Sequence, residues 1–304
     1  MKPAPFEYHA PTSIDAAAAL LDELGDAAKP LAGGQSLVPL LAMRLTAYDH
    51  LVDLNRIESL RGVRRSDDGA SLWIGAATTQ SEIEQSQLVA DTVPLLSLAA
   101  PLIGHFPIRN RGTVGGSIAH ADAAAELPAV ALTLGARMNV RSSRGERTVA
   151  SNDFFAGMWT TALADDELLT SVEFPVWTGH CGFAIEEFAR RHGDFAIAGA
   201  AVAVEVEDPS GGKLQVRRCR IGLIGLGSTP LRASDAEASV IGATLDDVDV
   251  VALANSALAN LDSVPSDLHG SSAYRVRVGA EMVARAWRSA TERARRAALG
   301  VAAS

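Results

Sequence analysis

Two glycine-rich segments constrain the fold of this chain more than any other feature of its sequence. The first, LAGGQSLVPLL, spans residues 31–41, and the second, RGTVGGSIAHADAAAELP, spans residues 111–128. In the first segment an apolar strand pattern runs into Gly33 and Gly34, and Ser36 then opens a short helix. Glycine lets the backbone approach a ligand closely, and N–H groups at the start of a helix favour an anion. The first segment therefore predicts a cradle for a phosphate group.

The second segment repeats this arrangement of hydroxyl and glycine residues. The residues concerned are Thr113, Gly115, Gly116 and Ser117. Two such cradles in one chain favour a diphosphate that is held from both sides. Glycines that only form tight turns remain the alternative explanation. Neither segment matches GxxxxGK[ST] or GxGxxG, so a P-loop NTPase and the usual Rossmann dinucleotide site are both disfavoured.

The order of strand and helix patterns divides the chain into three parts. Residues 1–57 alternate strand and helix patterns, which predicts a small β-α-β lobe, and residues 58–176 predict a second α+β lobe. The turn-rich residues 175–179 mark the boundary to the third part, residues 177–304. Three strand patterns followed by three helical patterns predict an α+β domain with a three-stranded antiparallel sheet there. A turn at residues 208–212 is predicted to join the last two of these strands.

The composition excludes several classes of protein. The chain has a net charge of −9, whereas nucleic-acid-binding proteins usually have an excess of basic residues. No apolar run approaches the roughly 20 residues that cross a bilayer, and the N-terminal residues lack a secretion signal, so we expect a cytoplasmic location. The two cysteines, Cys181 and Cys219, cannot ligate an iron–sulfur cluster by themselves, and no zinc-type spacing is present. We therefore expect no metal ligand and no catalytic residue on this chain, and redox chemistry here requires an organic cofactor.

At the two glycine segments the sequence resembles a known family. AGGQSLVPLL and TVGGSIAHADAAAELP resemble the paired FAD signatures of the FAD-binding (medium) subunits of molybdenum hydroxylases, the family of carbon monoxide dehydrogenase and xanthine dehydrogenase. PIRNRGTVGG, DFFAGMWTTAL, RRHGDFA and GSSAYR also occur in family order, at residues 107–116, 153–163, 190–196 and 270–275. The resemblance covers essentially the full chain.

The resemblance implies a PCMH/VAO-type fold in which two lobes clamp an extended, non-covalently bound FAD. The two glycine segments would hold its pyrophosphate from opposite sides, and Phe195 would lie against the flavin ring. The complete set of expected FAD contacts is Leu31, Ala32, Gly33, Gly34, Gln35, Ser36, Leu37, Ile103, Thr113, Gly115, Gly116, Ser117, His120, Asp122, Glu126, Leu169, Glu186 and Phe195. His120 is interpreted as a cofactor contact rather than as a catalytic base.

Four residues depart from the family pattern. Gln35 stands where His is common, and Phe195 stands where carbon monoxide dehydrogenases have Tyr, so a hydroxyl group is lost. Glu186 and Glu187 stand near the place where some relatives have a Lys beside the flavin. A carboxylate close to the ring would disfavour an anionic reduced flavin and shift its potential.

The resemblance also implies the function. The chain would be the FAD-carrying electron-transfer subunit of a molybdenum hydroxylase, an oxidoreductase complex with an iron–sulfur small subunit and a molybdopterin large subunit. The FAD would accept electrons from the partner's [2Fe–2S] clusters and pass them to NAD⁺, dioxygen or a quinone-type acceptor. The expected assembly is a dimer of heterotrimers. A stand-alone FAD-dependent reductase of the same fold and a non-redox nucleotide-binding protein remain the alternatives.

Overall fold

A three-stranded parallel sheet forms the first lobe of the computed structural model, which describes residues 2–208 and 212–300. Its elements are β1 (Glu7–His9), α1 (Ile14–Leu24), β2 (Ala28–Leu31), α2 (Leu37–Ala42) and β3 (His50–Asp53). Strand β3 lies between β1 and β2. The Ser13 hydroxyl caps α1, which packs Ala17 and Leu21 against the sheet. Because the strands are parallel, the segments that follow β2 and β3 meet at one edge of the sheet.

A five-stranded antiparallel sheet and a set of short helices form the second lobe. Its elements are β4 (Val63–Arg65), β5 (Ser71–Gly75), α3 (Gln80–Gln85), α4 (Gln87–Thr92), α5 (Pro94–Ala99), α6 (Phe106–Arg109), α7 (Val114–His120), α8 (Glu126–Leu134), β6 (Arg137–Ser142), β7 (Gly145–Ala150), α9 (Ser151–Phe154), β8 (Phe155–Gly157), β9 (Thr160–Thr161) and β10 (Leu168–Pro175). The strand order is β4-β5-β10-β6-β7, and β8 pairs with β9 separately. Thr79 and Glu82 form the capping box that their three-residue spacing predicts at the start of α3.

A four-stranded antiparallel sheet and three helices form the C-terminal part. Its elements are β11 (His180–Phe188), β12 (Ala198–Glu207), β13 (Gln215–Ile224), β14 (Leu231–Arg232), α10 (Ser234–Val240), α11 (Val250–Ala257) and α12 (Ser272–Ala298). The expected sheet of three strands therefore has a fourth, because β14 pairs with β13 and is too short to show a period in the sequence. The predicted turn at residues 208–212 lies partly outside the described residues. Among the helices of the described residues, none is long and apolar enough to cross a membrane.

Strand β12 joins the C-terminal part to the second lobe, because both of its faces are covered. Val202 and Val204 lie in a core cluster with Trp287 of α12. Ala201 and Ala203, on the opposite face, belong to the core cluster of the second lobe. Burial of both faces explains why its sequence is apolar at consecutive positions, without the alternation of a half-exposed strand. The shared core fixes the second lobe and the C-terminal sheet relative to each other.

Candidate cofactor-binding site

The two glycine segments lie in direct contact beside the first lobe. A β-carbon at residue 33 would lie 2.1 Å from the carbonyl oxygen of Arg111. A β-carbon at residue 116 would lie 2.7 Å from Oγ1 of Thr113 and 3.1 Å from the β-carbon of Ala32. Glycine is therefore required at residues 33 and 116 because the two segments contact each other there. Any larger side chain at either position would force the segments apart.

The first glycine segment offers unpaired backbone N–H groups. Within the described part of the chain, the N–H groups of residues 33–37 donate to no other group of the protein. Gly34 has a φ of 71°, a conformation that L side chains rarely adopt. The side-chain amide of Gln35 donates to the carbonyl oxygen of Gly33 at 2.9 Å and so closes the turn. Since unpaired N–H groups require a partner, this row of donors fits an anion such as a diphosphate.

The second glycine segment differs, and the prediction that it also has free N–H groups is wrong. The N–H groups of residues 114–117 all donate within the protein, to the carbonyl oxygens of Ala76, Thr78 and Thr113 and to the hydroxyl of Thr113. The reason is that this segment packs against residues 76–80 and begins helix α7. What it can present to a ligand is the Ser117 hydroxyl, which makes no hydrogen bond within the described residues, together with its backbone surface.

A chain of hydrogen bonds from β1 and β3 supports the first glycine segment. The Tyr8 hydroxyl donates to Asp53, and Oδ1 of Asp53 accepts from the side-chain amide of Asn55 at 2.6 Å. The same amide donates to the carbonyl oxygen of Ala32 at 2.9 Å. Our sequence reasoning missed Asn55. The sequence feature that could have indicated Asn55 is its place just after a parallel strand, where a polar side chain lies at the same sheet edge as the glycines.

A group of polar and aromatic side chains follows helix α7. The rings of His120 and Trp159 stack at a centroid distance of 6.3 Å, with planes 9° apart. The indole Nε1 of Trp159 lies 3.5 Å from Asp122, whose other oxygen accepts from the N–H of Ala124. Burial lowers the pKa of His120, against the opposing effect of Asp122, so the imidazole is neutral near pH 7. Ala121 has a φ of 54° and ends helix α7 as its left-handed C-cap. Trp159 lies in the motif DFFAGMWTTAL, but it was not among the individual residues expected to contact FAD.

Two carboxyl groups, the buried Glu126 on α8 and the half-buried Glu187 on β11, interact close to this group. Burial raises the pKa of Glu126 to about 8, and the charge of Glu187 adds to the increase. Burial also raises the pKa of Glu187 to about 7, and one of its oxygens is buried without a hydrogen-bond partner. Successive residues of a strand point to opposite faces, so Glu186 lies on the face away from Glu126. Glu187, rather than the predicted Glu186, therefore belongs to this acidic pair.

The remaining predicted contacts divide into exposed and buried residues. Phe195 lies in the loop between β11 and β12 with 64% of its surface exposed, and is thus available to a ligand. This loop packs against the second lobe, since a β-carbon at Gly193 would lie 2.7 Å from the His105 ring. The side chains of Ile103 and Leu169 lie in the core of the second lobe. If these two residues contact a cofactor, they do so through their backbone atoms.

Comparison with known proteins identifies the family. Residues 4–177 match the family described as "FAD binding domain in molybdopterin dehydrogenase", and residues 183–290 match "CO dehydrogenase flavoprotein C-terminal domain". The chain belongs to the FAD-binding subunits of the molybdenum hydroxylases. This FAD subunit is 43% identical over 295 residues to 6-hydroxypseudooxynicotine dehydrogenase complex subunit alpha of Paenarthrobacter nicotinovorans, with 97% of each chain covered. It is 37% identical over 293 residues to the carbon monoxide dehydrogenase medium chain of Hydrogenophaga pseudoflava, with 96% of this chain and 99% of that one covered.

Solved structures show the same fold. The FAD subunit superposes on a chain of carbon monoxide dehydrogenase from Hydrogenophaga pseudoflava with a TM-score of 0.91 at 39% identity, covering 96% of this chain and 99% of that one. For quinoline 2-oxidoreductase from Pseudomonas putida 86 the TM-score is 0.89 at 35% identity, with 97% and 99% covered. The predicted α+β class with a separate C-terminal sheet and helices is confirmed.

The residues of the FAD subunit fit its cofactor. The free N–H groups of residues 33–37 match the oxygens of a diphosphate, which need hydrogen-bond donors and carry negative charge. The His120–Trp159 pair and Phe195 offer aromatic surface, and Glu126 offers a carboxyl group that keeps its proton near neutral pH. The first set of groups would suit the phosphates, and the second, chemically different set would suit an aromatic ring system.

Proposed function

We propose that this FAD subunit takes electrons from [2Fe–2S] clusters of a partner subunit and passes them to NAD⁺, dioxygen or a quinone-type acceptor. The observation that supports the proposal most directly is the row of unpaired N–H groups at residues 33–37, held against the second glycine segment. This arrangement would hold the diphosphate of a cofactor such as FAD through hydrogen bonds from the backbone. Membership in the family favours this redox function over a non-redox nucleotide-binding protein.

We propose that the site residues of this chain bind the cofactor and keep protons close to it. Residues 33–37 and Ser117 would hold the pyrophosphate, and Phe195 would cover one part of the ring system. His120, neutral near pH 7, would donate or accept a hydrogen bond without adding charge. Glu126 and Glu187 would hold protons beside the cofactor, since both have a raised pKa. When bound, FAD supplies the reversible uptake and release of electrons, and the protein supplies orientation and electrostatics.

The electron source is proposed to lie on partner subunits. The sequence contains two cysteines, on the separate strands β11 and β13, so the chain lacks the four thiolates of a [2Fe–2S] cluster. The relatives named above include a complex subunit and a medium chain. We propose an iron–sulfur small subunit and a molybdopterin large subunit as partners, in a cytoplasmic dimer of heterotrimers.

The test compares the purified single chain with the complete complex. We expect the single chain to contain FAD and to show no substrate-dependent dye reduction with any hydroxylase substrate of the complex. Addition of the two partner subunits should restore it, and mixing the reduced complex separately with NAD⁺, dioxygen and a quinone should identify the acceptor. Sustained turnover by the single chain would refute the proposal and favour the stand-alone reductase.

A further inference from the structure

Three side chains of the first lobe meet on one face of its sheet. Glu7 and His9 lie on β1, two residues apart, and therefore point to the same side. His50 begins β3, which pairs with β1 in parallel and sets His50 opposite Glu7. Nε2 of His9 lies 3.1 Å from Nδ1 of His50, and Nδ1 of His50 lies 3.5 Å from a carboxylate oxygen of Glu7.

These separations match those of ligands on one metal ion. One ligand atom from each of Glu7, His9 and His50 lies within 4.8 Å of the other two. With metal–ligand bonds of about 2.0–2.2 Å, the two printed separations correspond to ligand–metal–ligand angles of about 100° and about 115°. Both angles are close to the tetrahedral value. His50 is therefore placed to share an ion with both His9 and Glu7.

The donor set also indicates the class of metal. Imidazole nitrogen suits zinc, copper, nickel and iron, whereas calcium and magnesium prefer sites made of oxygen ligands alone. Two His and one Glu with a fourth position open to water are a known ligand set for Zn²⁺. The site is accessible, with 75% of the Glu7 side chain and 21% of the His50 side chain exposed.

We propose that Glu7, His9 and His50 bind a divalent transition-metal ion of the zinc type. The ion would link β1, at the edge of the sheet, to the central strand β3. Its ligands come from residues that are adjacent only through strand pairing, which explains why no metal-binding spacing is visible in the sequence. The other face of β1 is anchored independently, because the Tyr8 hydroxyl donates to Asp53.

The experiment titrates the FAD-loaded chain, stripped of metal by a chelator, with ZnCl₂ in a calorimeter. We expect one Zn²⁺ per chain at this site and at least about tenfold weaker binding in His9→Gln, His50→Gln and Glu7→Gln. His180→Gln and His192→Gln are the controls and should bind as the unsubstituted chain does. Zn²⁺ should also raise the Tm of the unsubstituted chain more than that of His9→Gln, because the unsubstituted chain binds it more tightly.

The outcomes separate a metal site from a simple pair of hydrogen-bonded histidines. Unchanged zinc affinity in His9→Gln and His50→Gln, or loss of it only in His192→Gln, would overturn the proposal. Absence of zinc binding would also overturn it and leave the His9–His50 contact as a hydrogen bond. Flavin content confirms that each variant is folded. Glu7→Gln keeps the inference testable if a histidine variant fails to fold, because it alters an exposed side chain at constant size.

Discussion

The side-chain amide of Asn55 donates a hydrogen bond of 2.9 Å to the carbonyl oxygen of Ala32. It thereby ties the residue just before the glycine turn to the end of strand β3. The same amide donates to Asp53 at 2.6 Å, which fixes its orientation. Since the N–H groups of residues 33–37 have no partner within the described residues, their directions depend on such outside support. Asn55 is thus a positioning residue for the candidate diphosphate site.

Asn55→Ala should weaken FAD binding by about fivefold, because a neutral hydrogen bond contributes about 1 kcal/mol and each 1.4 kcal/mol changes affinity tenfold. The measurement is a titration of the FAD-free chain followed by flavin fluorescence. Asn255→Ala, at an exposed position of α11, is the matched control and should bind FAD as the unsubstituted chain does. Equal affinities for both variants would show that Asn55 does not position the segment.

Gly116→Val should remove FAD and leave the fold largely intact. The side chain would collide with the Thr113 hydroxyl and the β-carbon of Ala32, and so separate the two glycine segments. Gly116 does not have a positive φ, so the effect arises from crowding rather than backbone strain. Gly157→Val is the control, because its β-carbon would approach only Thr160, at 3.8 Å. Flavin absorbance per chain and circular dichroism provide the measurements, and full flavin occupancy in Gly116→Val would contradict the assignment.

The Glu126–Glu187 pair should make the folded chain less stable as pH rises. Above about pH 4.5 the unfolded chain releases both protons, whereas the folded chain retains them until pH approaches about 7 for Glu187 and about 8 for Glu126. The folded state binds more protons in this window, so the free energy of unfolding falls as pH increases through it. Glu126→Gln removes one of these groups. We expect it to reduce the slope and to stabilise the chain near pH 8 by on the order of a few kcal/mol.

Chemical denaturation of the FAD-free chain from about pH 5 to about pH 8.5 measures this effect. The difference between Glu126→Gln and the unsubstituted chain isolates the contribution of residue 126 from that of all other titrating groups. Glu186→Gln makes the same chemical change on the opposite face of β11 and should not reproduce it. A parallel pH dependence in all three proteins would show that the pair is not buried as described.

FAD should be released intact by acid precipitation of the protein. Neither glycine segment contains a cysteine, and both thiols of the chain lie elsewhere. Burial raises the pKa of Cys181 to about 11 and that of Cys219 further, so neither forms the reactive thiolate near neutral pH. We expect the yellow colour in the supernatant, measured by absorbance. Colour that stays with the precipitated protein after washing would indicate a covalent link.

Local sequence determined much of this protein. The α+β class, the alternating strands and helices of the first lobe, the Thr79–Glu82 capping box and the two glycine segments were all predictable, because periodicity, capping and turn formation involve residues within a few positions of one another. The family followed from motifs spread along the whole chain. The free N–H groups of the first glycine segment agree with its prediction as an anion-binding turn. This feature was predictable because the turn that leaves the N–H groups free forms between neighbouring residues.

Tertiary structure decided which of these groups face one another. Strand pairing placed His50 beside Glu7 and His9, and turned Glu187 rather than Glu186 towards Glu126. Packing of the second glycine segment against residues 76–80 used up its N–H groups, although its sequence matches the first segment in composition. Strand register and the contact between distant segments depend on packing across the whole molecule, and the same short sequence is compatible with either result. For that reason the sequence predicted the candidate residues, and only the fold sorted them into partners.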